Sequence, residues 1–535
     1  GHLSLVIGVR SEVTAMSHLE LELLDVARVV GARRIRARLA VGVTRVRTAV
    51  ELPAAARHGY GLRVRVVVGG VAGSWRSTAV EAIDGWWEAP RHVAWTTFTD
   101  ANDAPAQVAA ARRWHVTVAQ AYDWMYRHYR YLAPEEPFVD PLGRVVSHDA
   151  VRALVRAGHR AGIATLAYGS VYGAEPEYVA DHPDERVFDD AGDPLSLGGA
   201  FYIQDLRPGS PWRARLLREY QRACRRVGFD GIHMDTYGPP HEATAADGAR
   251  IRFADIYPGL VDEGAARVAA TGHDRLVLFN CVEGFPLEAV ARTPTAAHYL
   301  ELWPPDDRYA DVVAWIDRAR SAGPGKAVVI AAYVPALREA GNDAAARSAA
   351  VETAALLTSV IHVAGAFHHV LAEHDRLLVE GYYPAAIALR AREARELRAA
   401  WTFGARYLHL LSDPVRRDLA IDGLELFDAA GAPVPLSSAP AARSVWARGA
   451  ITPAGRVVSL VDLRDQSDDR WTAPRQAPAS VRGWSLRWPG AATPVAMSPW
   501  SRDGDATAMR PAAASSWRLP SFRRWLVVHD PSERR

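Results

Sequence analysis

Side chains that can transfer protons or attack a carbon atom follow several short apolar segments of this sequence. They are Asp123, His233, Asp235, Asn280, Glu301, Glu373 and Asp375. Cleavage of a glycosidic bond needs two carboxyl groups, of which one protonates the leaving oxygen and the other attacks or activates water. Several carboxyl groups at the ends of apolar segments therefore favour carbohydrate chemistry.

Two of these segments carry more information than the others, because polar residues interrupt their apolar pattern. His233 and Asp235 in GFDGIHMDTYG are two positions apart and point to the same side of a strand. Buried polar groups cost free energy unless they are paired or used. Glu301 and Trp303 repeat this spacing in YLELW. For any single aspartate after a strand, a helix N-cap or a salt bridge is the alternative interpretation.

Positioning these side chains requires strands whose ends meet, and residues 91–400 have the pattern for it. Short apolar runs alternate there with amphipathic helical stretches. The runs are HVAWTTF, VTVAQAY, IATLAYG, GIHMDTY, RLVLFNC, AAHYLEL, KAVVIAAYV and AFHHVLAE. Eight strand–helix units predict a (β/α)8 barrel, with catalytic groups at the carboxyl ends of the strands. A doubly wound sheet is disfavoured, because no glycine-rich phosphate loop follows the first run.

The regions on either side are predicted to be β domains. Residues 18–88 alternate with period two (Leu19, Leu21, Leu23), which predicts a small β-sandwich. Beyond about residue 405 the helical pattern fades and strand-like segments are separated by Pro, Ala, Ser and Gly, which predicts an antiparallel β domain. The chain is therefore expected to be a multi-domain α/β protein with domains at 1–88, 89–402 and 403–535.

The composition excludes several classes of protein. Hydrophobic residues make up 49% of the 535 residues, which is too many for a disordered chain. A formal net charge of +2 argues against a nucleic-acid binder, and two cysteines cannot form a disulfide scaffold. No uninterrupted apolar run reaches the roughly 18 residues of a membrane span. We therefore expect neither nucleic acid nor a membrane as partner, and the oligomeric state stays open.

Four motifs, in this order, resemble glycoside hydrolase family 66, which contains endo-dextranases and cycloisomaltooligosaccharide glucanotransferases. They are YDWMYRH (122–128), AYGSVYGA (167–174), GFDGIHMDTYG (228–238) and YLELWPP (299–305). The resemblance covers most of the chain. It implies an N-terminal immunoglobulin-like β-sandwich, a catalytic (β/α)8 TIM barrel and a C-terminal β-sandwich. The chain departs from the family pattern at Gly169, where a polar residue is expected, and at Ala372, where glycine is usual.

The resemblance implies a retaining mechanism in which Asp235 is the nucleophile and Glu301 is the acid/base. Such a pair has its carboxyl groups about 5–5.5 Å apart, whereas an inverting pair has them about 6.5–9.5 Å apart. Burial should raise the pKa of Glu301, while hydrogen-bond donors should keep Asp235 ionised. His233 is either one of these donors or a packed histidine.

Substrate contacts are predicted near the strand ends, where aromatic rings can stack on sugars. Each ring could instead pack in the core. The predicted contacts are Tyr122, Asp123, Trp124, Tyr168, Tyr172, Gln204, Asp205, His233, Asn280, Trp303, Glu373 and Asp375. We predict no cofactor and no metal, because the proposed chemistry needs none and the sequence has no zinc-type ligand cluster.

The predicted activity is internal cleavage of α-1,6-glucan, as by an endo-dextranase, with an α-glucan as the partner. Cycloglucan-forming members carry a binding module inserted in the barrel, and residues 91–400 contain no insertion of that size. The alternatives are a cycloisomaltooligosaccharide glucanotransferase or another transglycosylase or exo-enzyme, a glycosidase for a different α-linked polysaccharide, and a non-catalytic polysaccharide-binding protein. The resemblance implies an extracellular location, with a cytoplasmic one as the alternative.

Overall fold

The computed structural model describes residues 2–53, 56–501 and 504–531. Its N-terminal region consists of two antiparallel sheets that face each other. One sheet pairs His2–Ser11 with Gly42–Glu51, and the other contains Ala15–Asp25, Arg28–Leu39, His58–Val68, Val71–Ala72 and Arg76–Ala82. Leu21 and Leu23 are buried against Leu5 and Ile7 of the opposite sheet. The alternating leucines of the sequence thus form the core of this region.

A parallel sheet, here called the central sheet, occupies the middle of the chain. Its strands are His92–Trp95, Val118–Ala121, Ala164–Ser170, Gly231–Asp235, Leu276–Val282, Thr295–Glu301, Val328–Ala331 and a last strand in two pieces, Phe367–His369 and Leu371–Ala372. Each strand from the first to the seventh pairs with the next one along the chain. The first piece of the last strand pairs with the seventh strand, and its second piece pairs with the first strand. The sheet therefore curls until its last strand contacts both.

Helices connect the strands where the sequence predicts them. The longer ones are Ala104–Arg113, His148–Arg160, Pro211–Arg226, Phe253–Ala269, Tyr309–Ala322, Ala344–Ala364 and Ala391–Arg406, and the short ones are Pro176–Asp181, Leu287–Val290, Pro335–Glu339 and Leu408–Leu411. Ser147 and Ser210 begin two of them by accepting hydrogen bonds from first-turn N–H groups. The apolar sides of the helices pack on the outward faces of the strands.

The loops that follow the second, third, fourth and eighth strands carry short strands of their own. These are Phe138–Val139, Val145–Val146, Gly173–Ala174, Val187–Phe188, Ser196–Leu197, Phe201–Ile203, Glu242–Ala245, Arg250–Arg252, Arg376–Leu377 and Ile387–Ala388. Single turns of 3₁₀ helix are formed by Trp86–Glu88, Ala101–Asp103, Pro183–Glu185 and Tyr383–Ala385. The carboxyl end of the central sheet is therefore framed by structured loops.

The helix Ala344–Ala364 is long and apolar enough to cross a membrane, with a mean hydropathy of 1.2 over its best window. Of that window, 72% is buried inside the protein. Its Glu352 forms an ion pair with Arg524 of the C-terminal region. These contacts are those of a core helix.

The C-terminal region contains two mainly antiparallel sheets. One is built from Arg417–Leu419, Leu436–Ser437, Val445–Thr452, Gly455–Asp462, Val495–Met497, Thr507–Ala508 and Trp525–Asp530, and the other from Glu425–Phe427, Pro433–Val434, Ser485–Arg487, Arg510–Ala513 and Ser516–Arg518. Leu460 and Leu486 share one core between them. The helix Ala391–Arg406 runs across residue 402, where the sequence places a domain boundary. The boundaries of the three domains stay predictions.

The amino end of the central sheet is closed by apolar residues from outside it. Trp86 and Leu408 are buried there with Val118 and Leu278 of the strands. At Gly59, in the N-terminal region, a Cβ atom would lie 2.1 Å from the carbonyl oxygen of Ala405. Only glycine allows this close approach between the strand and the helix Ala391–Arg406.

Candidate active site

Three polar side chains from adjacent strands meet at the carboxyl end of the central sheet. Asp235 and Glu301 are the last residues of the fourth and sixth strands. Asn280 lies in the fifth strand, which pairs with both. The parallel register thus places an amide between two carboxyl groups.

The amide of Asn280 binds both carboxyl groups at once. Its Nδ2 donates to Asp235 Oδ1 at 2.6 Å and to Glu301 Oε2 at 2.7 Å. An amide nitrogen carries two hydrogens, so each carboxyl group receives one. Because both oxygens are bonded to the same nitrogen, they lie at most about 5.3 Å apart.

Two tyrosines bind the remaining carboxyl oxygens. The Tyr168 hydroxyl donates to Asp235 Oδ2 at 2.8 Å, and the Tyr333 hydroxyl donates to Glu301 Oε1 at 2.6 Å. All four carboxyl oxygens therefore have a donor. Tyr168 was predicted as a site residue, whereas Tyr333 was missed. Its only signal was its position two residues beyond the seventh strand, in KAVVIAAYV.

The pKa values of the two carboxyl groups differ in one respect from those expected from the sequence. Burial, followed by the charge of Glu301, raises the pKa of Asp235 to about 7, and the donors Asn280 and Tyr168 only partly oppose this. Burial also raises the pKa of Glu301, as predicted. The sequence predicted that hydrogen-bond donors keep Asp235 ionised, but these donors do not outweigh burial and the charge of Glu301. Two buried carboxyl groups this close share a proton and titrate as a pair.

His233 is packed below the carboxyl groups and does not donate to Asp235. Its side chain is 1% exposed, and its ring stands against Tyr299 at 4.7 Å between centroids. Neither ring nitrogen has a hydrogen-bond partner in the described part of the chain. Burial lowers its pKa well below the ordinary value, so the ring is neutral. Of the two interpretations left open by the sequence, the packed histidine is the observed one.

Asp123 and Trp124 are anchored in the loop after the second strand. Trp124 is fully buried, donates from Nε1 to the Tyr168 carbonyl and packs against Phe229, so it has no open face for a sugar. Its predicted stacking role is not supported. Instead, its hydrogen bond supports the position of Tyr168 from behind. Asp123 lies 3.5 Å from Arg144, and burial raises the pKa of Asp123 to about 6.

Partly exposed rings lie beside the carboxyl groups. Tyr122 stands 4.5 Å from the Tyr383 ring and donates to the Gly381 carbonyl. Trp303 meets the edge of Tyr333, and a Cβ at Gly381 would lie 3.0 Å from the Trp303 ring and 3.5 Å from Glu301 Oε1. Gly381 thus keeps open the space above Glu301.

Tyr172 is nearly buried and meets the edge of the Tyr237 ring at 5.4 Å between centroids. Because one edge is occupied in this way, Tyr172 offers a sugar less surface than Tyr122 or Trp303 does.

Gln204 and Asp205 make their contacts within the loop that follows the third strand. Gln204 is fully buried and donates to the Tyr202 carbonyl, while Asp205 pairs with Arg207 at 2.8 Å. Asp205 and Arg207 line a cavity of about 580 Å³ whose lining does not include either catalytic candidate. Their predicted contact with substrate at the carboxyl pair is not supported.

Glu373 and Asp375 follow the last strand and turn away from the pair. Glu373 accepts hydrogen bonds from the Thr96 amide and hydroxyl, which ties the loop to the first strand. Asp375 accepts from Trp114 Nε1 at 2.6 Å and from Arg113. Both are thus used in joining loops and helices, and their predicted sugar contacts are not supported.

A histidine–aspartate group lies elsewhere, where the N-terminal region meets the helix Leu408–Leu411. The ligand atoms of Asp25, His58 and His409 lie within 4.8 Å of one another and could hold a metal ion. The two imidazole rings are stacked 3.6 Å apart and nearly parallel. The Nε2 atoms of both rings face Asp25 Oδ1, at 3.0 Å for His58 and 3.9 Å for His409. The sequence missed this group because its members come from distant segments.

The model for glycosyl hydrolase family 66 matches residues 2–514. The chain belongs to this family. Two cycloisomaltooligosaccharide glucanotransferases from Niallia circulans are similar to it. The first is 24% identical over 298 residues, which are 51% of this chain and 31% of the relative. The second is 25% identical over 281 residues, 48% of this chain and 29% of the relative. The matched segment thus spans about a third of the length of these relatives.

Solved structures share the overall fold of this family 66 chain. A cycloisomaltooligosaccharide glucanotransferase from Paenibacillus sp., crystallised with cycloisomaltoheptaose, superposes with a TM-score of 0.87 at 17% identity and covers 99% of this chain and 97% of its own. An α-amylase from Anoxybacillus superposes with a TM-score of 0.52 at 9% identity, over 83% of this chain and 98% of its own. The family model thus shows the family of this chain, and the solved structures show its fold.

The family departure at Gly169 has a structural cause. A Cβ there would lie 2.7 Å from the Tyr220 ring, and the Tyr220 hydroxyl donates to the Gly169 carbonyl at 3.1 Å. In this family 66 chain, the helix Pro211–Arg226 therefore packs closely behind the strand that carries Tyr168. Any larger residue at position 169 would push this helix away.

Proposed function

We propose that this protein is a retaining glucanotransferase that acts on α-1,6-linked glucan and forms cyclic isomaltooligosaccharides. Asp235 attacks the anomeric carbon and forms a glycosyl-enzyme, while Glu301 gives its proton to the departing sugar oxygen. Glu301 then takes the proton from the attacking hydroxyl, which belongs to a glucan end in transfer and to water in hydrolysis.

The shared amide of Asn280 is the observation that carries the retaining mechanism. It limits the two bonded carboxyl oxygens to at most about 5.3 Å, in the range of retaining pairs and below the roughly 6.5–9.5 Å of inverting ones. A water molecule does not fit between the carboxyl groups and the substrate at such a separation. Direct attack by Asp235 is therefore supported.

The raised pKa values suit this division of roles. A pair that shares one proton offers one carboxylate for attack and one acid for proton donation. When positive charge develops at the anomeric carbon, Asp235 is the nearer anion. We therefore expect the shared proton to lie on Glu301 once substrate is bound.

Transfer is favoured over hydrolysis by the relatives, both of which carry the name glucanotransferase. The lack of an inserted module in residues 91–400 favours an endo-dextranase instead, and this hydrolase remains the second candidate. We also interpret the central sheet as a closed (β/α)8 barrel and the N-terminal region as an immunoglobulin-like sandwich.

Incubation with dextran and with linear isomaltooligosaccharides tests the proposal. Cyclic products support the transferase, a linear ladder supports an endo-dextranase, and glucose alone supports an exo-enzyme. Activity on starch or pullulan but not on dextran overturns the linkage assignment. Proton NMR of the first product formed decides the mechanism, since retention gives the α-anomer first. Because the glucan is a polymer, we further propose an extracellular site of action, which fractionation of the source cells checks.

A further inference from the structure

A continuous chain of side chains leads from Glu301 into the interior of the central sheet. Tyr333 donates to Glu301 Oε1 at 2.6 Å, and its hydroxyl lies 3.4 Å from that of Tyr383. The Tyr383 hydroxyl lies 3.3 Å from that of Tyr299, which in turn lies 2.7 Å from His369 Nδ1. Four side chains on four separate segments thus form one path of polar contacts that ends on the acid/base candidate.

The inner end of the path is buried. His369 is fully buried, and burial lowers its pKa well below the ordinary value, with the neighbouring histidines His92 and His233 adding to the shift. In a neutral imidazole one nitrogen donates and the other accepts, so the tautomer of His369 decides whether Tyr299 or His369 donates in the bond between them.

The outer end depends on the charge of Glu301. The Tyr333 hydroxyl faces two acceptors, Glu301 Oε1 at 2.6 Å and the Tyr383 hydroxyl at 3.4 Å, and the shorter bond is the one to Glu301. A carboxylate accepts such a bond more strongly than a neutral carboxyl group does, so Tyr333 favours the ionised form of Glu301. The Tyr383 ring meets the Tyr333 ring edge-on at 6.0 Å between centroids and holds it in place.

We propose that Tyr333 and Tyr383 are positioning residues for Glu301, with Tyr333 as the donor to its carboxylate and Tyr383 as the side chain that holds Tyr333 in place. This rests on the proposed role of Glu301 as acid/base. Each phenol keeps its own proton throughout. The only protons that move are the one that Glu301 gives to the leaving oxygen and the one that it later takes from the acceptor hydroxyl.

The Tyr333→Phe and Tyr383→Phe variants test this inference, with Tyr131→Phe as the matched control. The Tyr131 hydroxyl is also buried but has no hydrogen-bond partner among the described residues. Loss of the Tyr333 bond removes a donor that favours the ionised form of Glu301, so its pKa rises. We expect the alkaline limb of kcat/KM on dextran to move up by about one pH unit in Tyr333→Phe, by less in Tyr383→Phe, and not in Tyr131→Phe.

A second measurement needs no substrate and separates this inference from the proposed function. In protein labelled with ¹³C at the glutamate carboxyls, the Glu301 signal is assigned by its loss in Glu301→Gln and followed with pH. An upward shift of its midpoint in Tyr333→Phe supports the chain even if dextran is not cleaved. An unchanged midpoint in folded Tyr333→Phe, or an equal shift in Tyr131→Phe, overturns it.

Discussion

Two layers of buried polar side chains lie inside the central sheet, and they differ in whether their polar atoms have hydrogen-bond partners. The carboxylate layer contains Asp235, Asn280 and Glu301, and the histidine layer contains His92, His233 and His369. In the carboxylate layer every carboxyl oxygen has a donor. In the histidine layer, described residues offer no hydrogen-bond partner to either nitrogen of His233 or to Nε2 of His369.

The difference shows what distinguishes a reactive group from a packed one. Burial favours the neutral form of both kinds of group, since it raises the pKa of Asp235 and lowers the pKa of His233. Only the carboxyl groups have the donors and the nearby partner that let one of them be charged again when substrate arrives. A polar residue in the sheet interior is therefore not by itself evidence of chemistry.

The largest expected effect comes from removing the charges of the carboxylate layer. Asp235→Asn removes the nucleophile and should lower turnover on dextran by about 10³-fold or more. Glu301→Gln should lose as much on dextran but far less on an aryl α-glycoside, whose leaving group needs no acid. Initial rates on both substrates check this. Near-full activity of Asp235→Asn on dextran would contradict the assignment of the nucleophile.

The next effect concerns the amide that joins the two carboxyl groups. Asn280→Ala removes two charge-assisted hydrogen bonds and should lower kcat by about 10²–10³-fold. KM should change much less, because the loss falls on the transition state. Steady-state kinetics on isomaltooligosaccharides measure both constants. A loss below about threefold would mean that the pair is held by the tyrosines alone.

A pH-dependent difference in stability should follow from Asp235. Its pKa of about 7 lies above its value in the unfolded chain, so the folded protein binds the proton more tightly. Folding stability should therefore fall as pH rises from about 4 to 7, and Asp235→Asn should remove this fall. We expect the variant to melt several degrees above the wild type at pH 8 and level with it at pH 4. Melting curves at both values check this, and an equal Tm at pH 8 would contradict it.

The smallest effect should come from the histidine layer. His233→Leu replaces an unpartnered buried ring with an apolar side chain of similar volume, so we expect turnover within about threefold of wild type and no loss of stability. Kinetics and melting curves measure both. A loss as large as that of Asn280→Ala would show that His233 reaches Asp235 during the reaction and would erase the distinction between the layers.

Much of the fold followed from local patterns. Each of the eight predicted runs is a strand of the central sheet in the expected order, because alternation and helical periodicity are properties of consecutive residues.

The substrate contacts were harder to predict. Trp124 and Trp303 both follow strands, yet one is fully buried and the other is partly exposed beside Glu301. Nothing in their local sequence separates them, since the loop that covers Trp124 is folded by distant residues.

The sequence by itself determined that Asp235 and Glu301 end their strands, because a polar residue that interrupts an apolar run can be read from its neighbours. Only the tertiary structure decided that Asn280 binds both of them and that Tyr333 leads to Tyr383. Those distances join residues on different strands and depend on the register and curl of the sheet. Pairing between strands is set by packing of the whole domain, and no local pattern contains it.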